Sequence, residues 1–243
     1  FQKNEKTVQD EIQKAIFKFS GEKKIIQGAG RTDAGVHATN QVVHFDVSTP
    51  RRAAAWTLGV NSHLPPDIAV RWAQPVDDSF SARFSATARR YRYIIANHAL
   101  RPGIHSHGVS HYHHPLDVDA MQAATPALLG EHDFSAFRAA QCQSHSAHRE
   151  ITHLNVHRRG DFIIVDIKAN AFLHHMVRNI VGSLIVIGRH QQDPSWLGEL
   201  LAGKDRTKAA ATAKPGGLYL VEVDYPKDWQ LPKAEPGPLW FTE

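Results

Sequence analysis

The sequence predicts an α+β fold with largely antiparallel sheets. Three observations point there. Helical and extended segments alternate along the 243 residues. The extended segments pair as hairpins instead of being spaced by crossover helices. The most amphipathic stretch, Phe172 to Ile187, has helical period, with Leu173, Met176, Val177, Ile180, Val181, Leu184 and Ile185 on one stripe.

Each element has its local reason. Thr7 precedes the helical apolar face of Val8, Ile12, Ala15, Ile16 and Phe19, and Asp10 completes a capping-box arrangement. Lys23 to Gln27 reads as extended until Gly28-Ala29-Gly30 breaks it. Gln41 to Val47 reads as a strand, Arg52 to Leu58 as a short helix ended before Pro65-Pro66, and Ile68 to Trp72 as a strand. Tyr91 to Ala96 is a strand behind a basic run, and Ala99 to Pro115 a His-rich loop. Val118 to Leu129 is helical with a kink at Pro126. Ile151 to His157 and Phe162 to Lys168 flank Arg158-Arg159-Gly160 as a hairpin. Asp193-Pro194 starts a helix through Leu201, and Gly216-Gly217 opens a last strand, Leu218 to Val223, before a Pro-rich tail. The chain divides into an N-terminal part, 1–84, and a C-terminal part, 85–243.

Composition bounds the function. Hydrophobic residues at 42% and charged residues at 21% are ordinary globular usage, which excludes disorder, collagen and coiled coil. The single cysteine, Cys142, excludes an intrachain disulfide framework and a thiolate zinc site of the usual kind, and it suits a reducing cytoplasm. The longest apolar run, roughly Ile180 to Ile187, is far short of a membrane span, so no membrane partner is expected. No segment reads as targeting, although residue 1 is Phe and not Met. The net charge of +4 marks a nucleic-acid binder only if the charge clusters. It does: Arg71 to Arg101 holds six Arg against Asp77 and Asp78, a local surplus as large as that of the whole chain.

Gly30-Arg31-Thr32-Asp33-Ala34-Gly35-Val36-His37-Ala38 stands apart. Small residues flank a carboxylate and a guanidinium, so a substrate can approach the backbone closely. Position 33 is Asp where a dinucleotide loop needs Gly, and no Gly-Lys-Ser/Thr follows for a phosphate loop. By composition alone an Asx turn, with Asp33 bonding its own backbone, is the favoured reading.

This segment resembles the signature of the tRNA pseudouridine synthase A family. Four further stretches agree in order. They are Gln41-Val42-Val43-His44-Phe45; Ala82-Arg83-Phe84-Ser85-Ala86 with Arg89-Arg90-Tyr91-Arg92-Tyr93; Gly130 to Phe137; and Ala171-Phe172-Leu173-His174-His175-Met176-Val177-Arg178-Asn179-Ile180-Val181-Gly182. The family's opening strand and Gly-Trp-Gln segment have no counterpart before Phe1-Gln2-Lys3-Asn4. The resemblance implies two α/β subdomains sharing an extended, largely antiparallel sheet with the active-site cleft between them. It implies a cytoplasmic homodimer that isomerises uridine to pseudouridine at positions 38, 39 and 40 of the tRNA anticodon stem-loop. No cofactor is implied, because the reaction has no net redox or hydrolysis.

On the same resemblance Asp33 is the catalytic nucleophile, and Arg31 helps place the flipped nucleotide. Tyr91 is the active-site tyrosine, able to stack on uracil or to take part in proton transfer. Leu218 packs beneath the site. Arg178 needs a partner beside its apolar stripe, and the resemblance makes that partner Asp33; a two-pronged guanidinium–carboxylate pair fixes orientation as one Lys ammonium cannot. By period alone, Tyr91 serves as well as a core residue and Arg178 as a snorkelling one. Arg83, Arg89 and Arg90, with Arg92, Arg51, Arg52, Lys23 and Lys24, are candidate phosphate contacts that position RNA without reading its sequence. No metal site is expected. His174 and His175, adjacent on a helix, point about 100° apart and cannot readily grip one ion. His111, His113 and His114 have no carboxylate at ligand spacing, and Cys142 near His145 and His148 is weak evidence for a thiol nucleophile. The rival readings are a non-catalytic RNA-binding module and a His-rich metal hydrolase.

Overall fold

A computed structural model of the chain describes residues 7–238. The opening at Phe1 to Asn4 and the last residues of the Pro-rich tail lie outside them. In chain order the elements are α1 (Val8–Ser20), β1 (Gln27–Gly28), β2 (His37–Ala38), β3 (Val43–His44), α2 (Ala53–Asn61), β4 (Ala88–Asn97), β5 (Ser110–Tyr112), α3 (Val118–Ala124), β6 (Gly130–Asp133), β7 (His148–Arg159), β8 (Phe162–Ala169), α4 (Met176–Gly188), α5 (Trp196–Gly203) and β9 (Leu218–Asp224).

The chain forms two compact units. One takes the chain up to Gly30, Val42–Ala86 and Tyr225–Lys233; the other takes Arg31–Gln41, Thr87–Asp224 and the chain from Ala234. The third crossing between the units lies between 86 and 87. The Asp33 loop, however, sides with the second unit, because β2 pairs in parallel with β9 through His37–Tyr219 and Ala38–Leu220.

In the first unit Thr7 caps α1 as the sequence predicts, its hydroxyl oxygen accepting from the Asp10 backbone N–H at 3.1 Å. Ala15 and Ile16 of α1 close a small core with Ile26, Val60, Trp56 and Phe45. The expected strand over Gln41 to Val47 shortens to β3, paired antiparallel with β1. Ile68 to Trp72 is no strand. Val70 instead exchanges two hydrogen bonds at 2.7 Å with the Asn61 side chain, which takes the ladder's place.

The second unit is built on a seven-stranded sheet of order β2-β9-β4-β8-β7-β6, with β5 beside β4. The pairings β9–β4, β4–β8, β8–β7 and β7–β6 are antiparallel. The predicted hairpin is β7–β8, closed by Gly160 in the left-handed region at φ 57°. The His-rich loop contains β5, since Ser110 to Tyr112 pair with Ile95 to Asn97. Strand alternation sorts the two faces. Tyr93, Ile95, Ile163, Val165 and Ile167 join the α4 and α5 side chains in the main core, while Ile94, Ala96, Ile164, Tyr219 and Val221 form a second cluster.

The expected helix over 172–187 begins four residues later, at Met176. Apolar period runs on through Leu173, but tertiary bonds hold the chain out of helix there. The Ala139 N–H donates to the His174 carbonyl at 3.1 Å, and the His174 N–H donates to Cys142 Sγ at 3.4 Å. His175 then takes φ 60°, ψ 7°. Among the described residues, no helix is long and apolar enough to cross a membrane.

Candidate active site

Asp33 sits at the tip of the loop entering β2. Its carbonyl accepts from the Val36 N–H at 3.0 Å, and Gly35 turns the chain at φ 77°. A β-carbon at Gly35 would also come within 3.2 Å of the Pro215 ring. Beyond the loop, the Thr39 N–H bonds the Leu220 carbonyl at 2.9 Å, so the turn is fastened to β9.

Arg178 stands in the first turn of α4, 145 residues further along the chain, and its Nη1 reaches Asp33 Oδ2 at 3.2 Å. The expected two-pronged pair is a single contact, because Nε is committed to the Ala213 carbonyl at 2.8 Å. The same Ala213 returns its N–H to the Arg178 carbonyl at 3.1 Å. Ala213 therefore holds Arg178 at both its main chain and its guanidinium. Gly182 makes this possible: a β-carbon there would run into the Ala211 carbonyl oxygen. Next to Arg178 the fully buried Asn179 accepts from Thr212 Oγ1 at 2.7 Å and Arg206 at 3.0 Å, and it donates to the Phe137 carbonyl at 2.8 Å. Buried amides are costly unless satisfied, and this one knits α4 to the segment that positions Arg178.

Sequence reasoning missed His174 and His175. Because the helix starts after them, the 100° argument does not apply. Their rings lie 3.9 Å apart at 31° to one another. His174 Nε2 is 3.3 Å from Asp33 Oδ1, and His175 Nε2 is 3.1 Å from Oδ2. Burial holds the His175 imidazole below the ordinary histidine pKa, and His174 and Arg178 push the same way against Asp33. The signal was present as two histidines just before a helix whose arginine needs a carboxylate. It was hidden by apolar period. The three donors lie within 4.8 Å of one another, which is metal-site spacing. The Arg178 cation on the same carboxylate oxygen opposes a second cation there.

Tyr91 is partly buried on the core face of β4, its ring edge-on to Phe172 at 5.0 Å. Burial pushes its phenol up to about 12; the Arg89 charge opposes this and the Asp33 charge adds to it. The hydroxyl is therefore protonated at neutral pH. Leu218 is buried in the main core, opposite Tyr93 across β4–β9. Arg31, two residues before Asp33, is exposed.

The candidate phosphate contacts separate. Arg89 hydrogen-bonds the Asn170 carbonyl at 3.3 Å. Arg83 lies in the first unit, its guanidinium 5.2 Å from the Phe84 ring centre. Arg90 is otherwise employed. It grips Asp166 with Nε at 2.6 Å and Nη2 at 2.8 Å, and Arg92 adds a third bond at 2.8 Å. Asp166 is 3% exposed. Burial alone would raise its carboxyl, yet the bonds from Arg90 and Arg92 hold it below the usual carboxylate range. Strand alternation explains the outcome, since residues 90 and 92 face away from Tyr91.

A family model described as tRNA pseudouridine synthase matches residues 1–85 and 124–226. The "tRNA pseudouridine synthase A" of Idiomarina loihiensis is 66% identical over 237 residues, which are 98% of this chain and 91% of that protein. The proteins of the same name from Shigella boydii and Escherichia coli are each 59% identical over 238 residues, 98% of this chain and 88% of theirs.

Proposed function

Because the chain belongs to the tRNA pseudouridine synthase family, we propose that its Asp33 centre isomerises uridine to pseudouridine at positions 38, 39 and 40 of the tRNA anticodon stem-loop. The observation that supports this reading best is Arg178 on Asp33 at 3.2 Å, joining the two most distinctive motifs of the sequence. In the reaction the N1–C1′ glycosidic bond breaks, the uracil turns, and C5 bonds to C1′. N1 takes up a proton and C5 gives one up. Asp33 acts as the nucleophile, with Arg178 as its counter-ion. Tyr91 supports the flipped base and supplies a hydroxyl. Arg31 meets the nucleotide, and Leu218 forms the floor. A target in a loop or at its edge leaves its stack at the lowest cost. Arg83 and Arg89 contact phosphates, and a second copy of the chain completes the tRNA-binding surface in a cytoplasmic homodimer.

The test uses tRNA with tritium on uracil C5, because forming the new C5–C1′ bond releases it. Release is expected without added metal or nucleotide, and none from Asp33→Ala. Asp33→Ala should still bind tRNA, since affinity comes chiefly from basic side chains. A folded wild type that binds tRNA and releases no tritium would sink the proposal. A second reading, a metal hydrolase, is favoured only by the clustering of Asp33, His174 and His175. Unchanged turnover after chelation and dialysis rejects it.

A further inference from the structure

The two oxygens of Asp33 keep unequal company. Oδ2 accepts a hydrogen bond from Arg178 Nη1 at 3.2 Å and lies 3.1 Å from His175 Nε2. Oδ1 lies 3.3 Å from His174 Nε2.

The surroundings also fix the state of the two rings. A neutral imidazole has one N–H and one bare nitrogen, and its neighbours decide which is which. His174 Nδ1 is buried with no hydrogen-bond partner among the described residues. A proton there would strand a buried donor, whereas a proton on Nε2 meets Asp33. His175 is kept neutral by burial and by its charged and imidazole neighbours. At 3.1 Å from a carboxylate its Nε2 is stable only as the donor. The backbone is bent to bring this about: His175 stands in the left-handed region, which few non-glycine residues adopt. Such outliers gather where geometry serves function. The turn sets the two rings side by side, where a continuous helix would splay them.

Resting on the isomerase reading, we propose that His174 and His175 are positioning residues that flank opposite oxygens of Asp33 and aim the carboxylate as neutral Nε2–H donors. Neutral donors aim the carboxylate without neutralising it, so Arg178 remains its one close cation among the described residues. Aim matters because a displacement of about 1 Å at a reacting atom can cost a hundredfold in rate.

Glutamine separates aiming from bulk. Its side-chain N–H reaches about as far as imidazole Nε2, and it does not titrate. The experiment compares wild type with His174→Ala, His174→Gln, His175→Ala and His175→Gln. It reads single-turnover tritium release, tRNA affinity and melting temperature, together with imidazole nitrogen NMR of the free protein. Each Ala variant should lose roughly a hundredfold in turnover with tRNA affinity within about twofold, and each Gln variant should recover at least about tenfold of that loss. The spectra should show both rings neutral and protonated on Nε2, with signals that move in Asp33→Ala. Folded Ala variants with full turnover overturn the proposal, as do Gln variants no better than Ala or rings protonated on Nδ1. The NMR arm needs no tRNA. A wild type that releases no tritium therefore counts against the isomerase reading alone, while the grip on Asp33 stands or falls on the spectra.

Discussion

At the residue scale, the contents of the site were legible only in part. Asp33 stood out by its setting among small residues, but composition alone favoured an Asx turn, and the resemblance turned the reading toward chemistry. Arg178 advertised its need for a partner by lying beside an apolar stripe. Which carboxylate answers it depends on a contact across 145 residues that no local pattern encodes. Arg90 looked like its neighbour Arg89 in sequence. The clue that separates them is Asp166, an isolated charge in the otherwise apolar run Phe162 to Ile167, which lies opposite Arg92 in register. Tyr91 yields a prediction at this scale. With its phenol pushed up to about 12, it stays protonated across the neutral range and ionises only in strong alkali. Tyr91→Phe should keep tRNA affinity and melting temperature near wild type and lose most turnover. The wild-type pH–rate profile should have no alkaline limb from this phenol until the pH nears about 12. Full activity in Tyr91→Phe would reduce the residue to packing against Phe172.

At the element scale, the hairpin β7–β8 and the strand β9 were readable because period and turn residues agree. The start of α4 was not, because Leu173 satisfies helical period while Ala139 and Cys142 hold the backbone elsewhere. Two predictions belong here. Gly182→Ala should gain roughly 1 kcal/mol of helix propensity, but its new methyl meets the Ala211 carbonyl, and overpacking of this kind costs about 1–3 kcal/mol. The net effect is a lower melting temperature. Turnover should fall further than stability does, because the displaced segment includes Ala213, which holds Arg178. A Gly182→Ala variant as active as wild type would show that the clamp is dispensable. The second concerns the β4–β8 clasp. Asp166→Ala leaves Arg90 and Arg92 without their shared carboxylate. Removing one partner of a buried pair costs roughly 3–5 kcal/mol. Both guanidinia are partly exposed, so the lower end, about 3 kcal/mol, is expected. That is a fall of roughly 6–12 °C in melting temperature for a chain of this size. Because the folded carboxyl is depressed, the clasp is at full strength above the ordinary carboxylate pKa and is lost as pH falls through the lowered one. Thermal melts of wild type and Asp166→Ala should therefore converge in acid.

At the scale of the whole molecule, the question is where the charge acts. The sequence places a surplus of positive charge between Arg71 and Arg101 as large as the net +4 of the chain. The fold divides that surplus. Arg90 and Arg92 are bound to Asp166 on the sheet face away from Tyr91, and Lys168 on the same face pairs with Glu222 at 3.2 Å. Arg89 lies on the other face, close enough for its charge to act on the Tyr91 phenol. A contrast between two adjacent residues follows. A Lys or Arg that neutralises a phosphate releases a counterion, so each such contact steepens the fall of affinity with salt by about one unit of log–log slope. Arg89→Ala should weaken tRNA binding and flatten that slope by about 1. Arg90→Ala removes the same formal charge from the next position, yet it should leave the slope unchanged and lower the melting temperature, because Asp166 then lacks its two-pronged partner. Net charge cannot explain a difference between the two variants, since both lose one unit. The measurement is tRNA affinity for wild type and both variants across a range of salt, with melting curves as the stability readout. A slope that flattens in Arg90→Ala and holds in Arg89→Ala would reverse the assignment and put the RNA on the face of the sheet that bears Asp166.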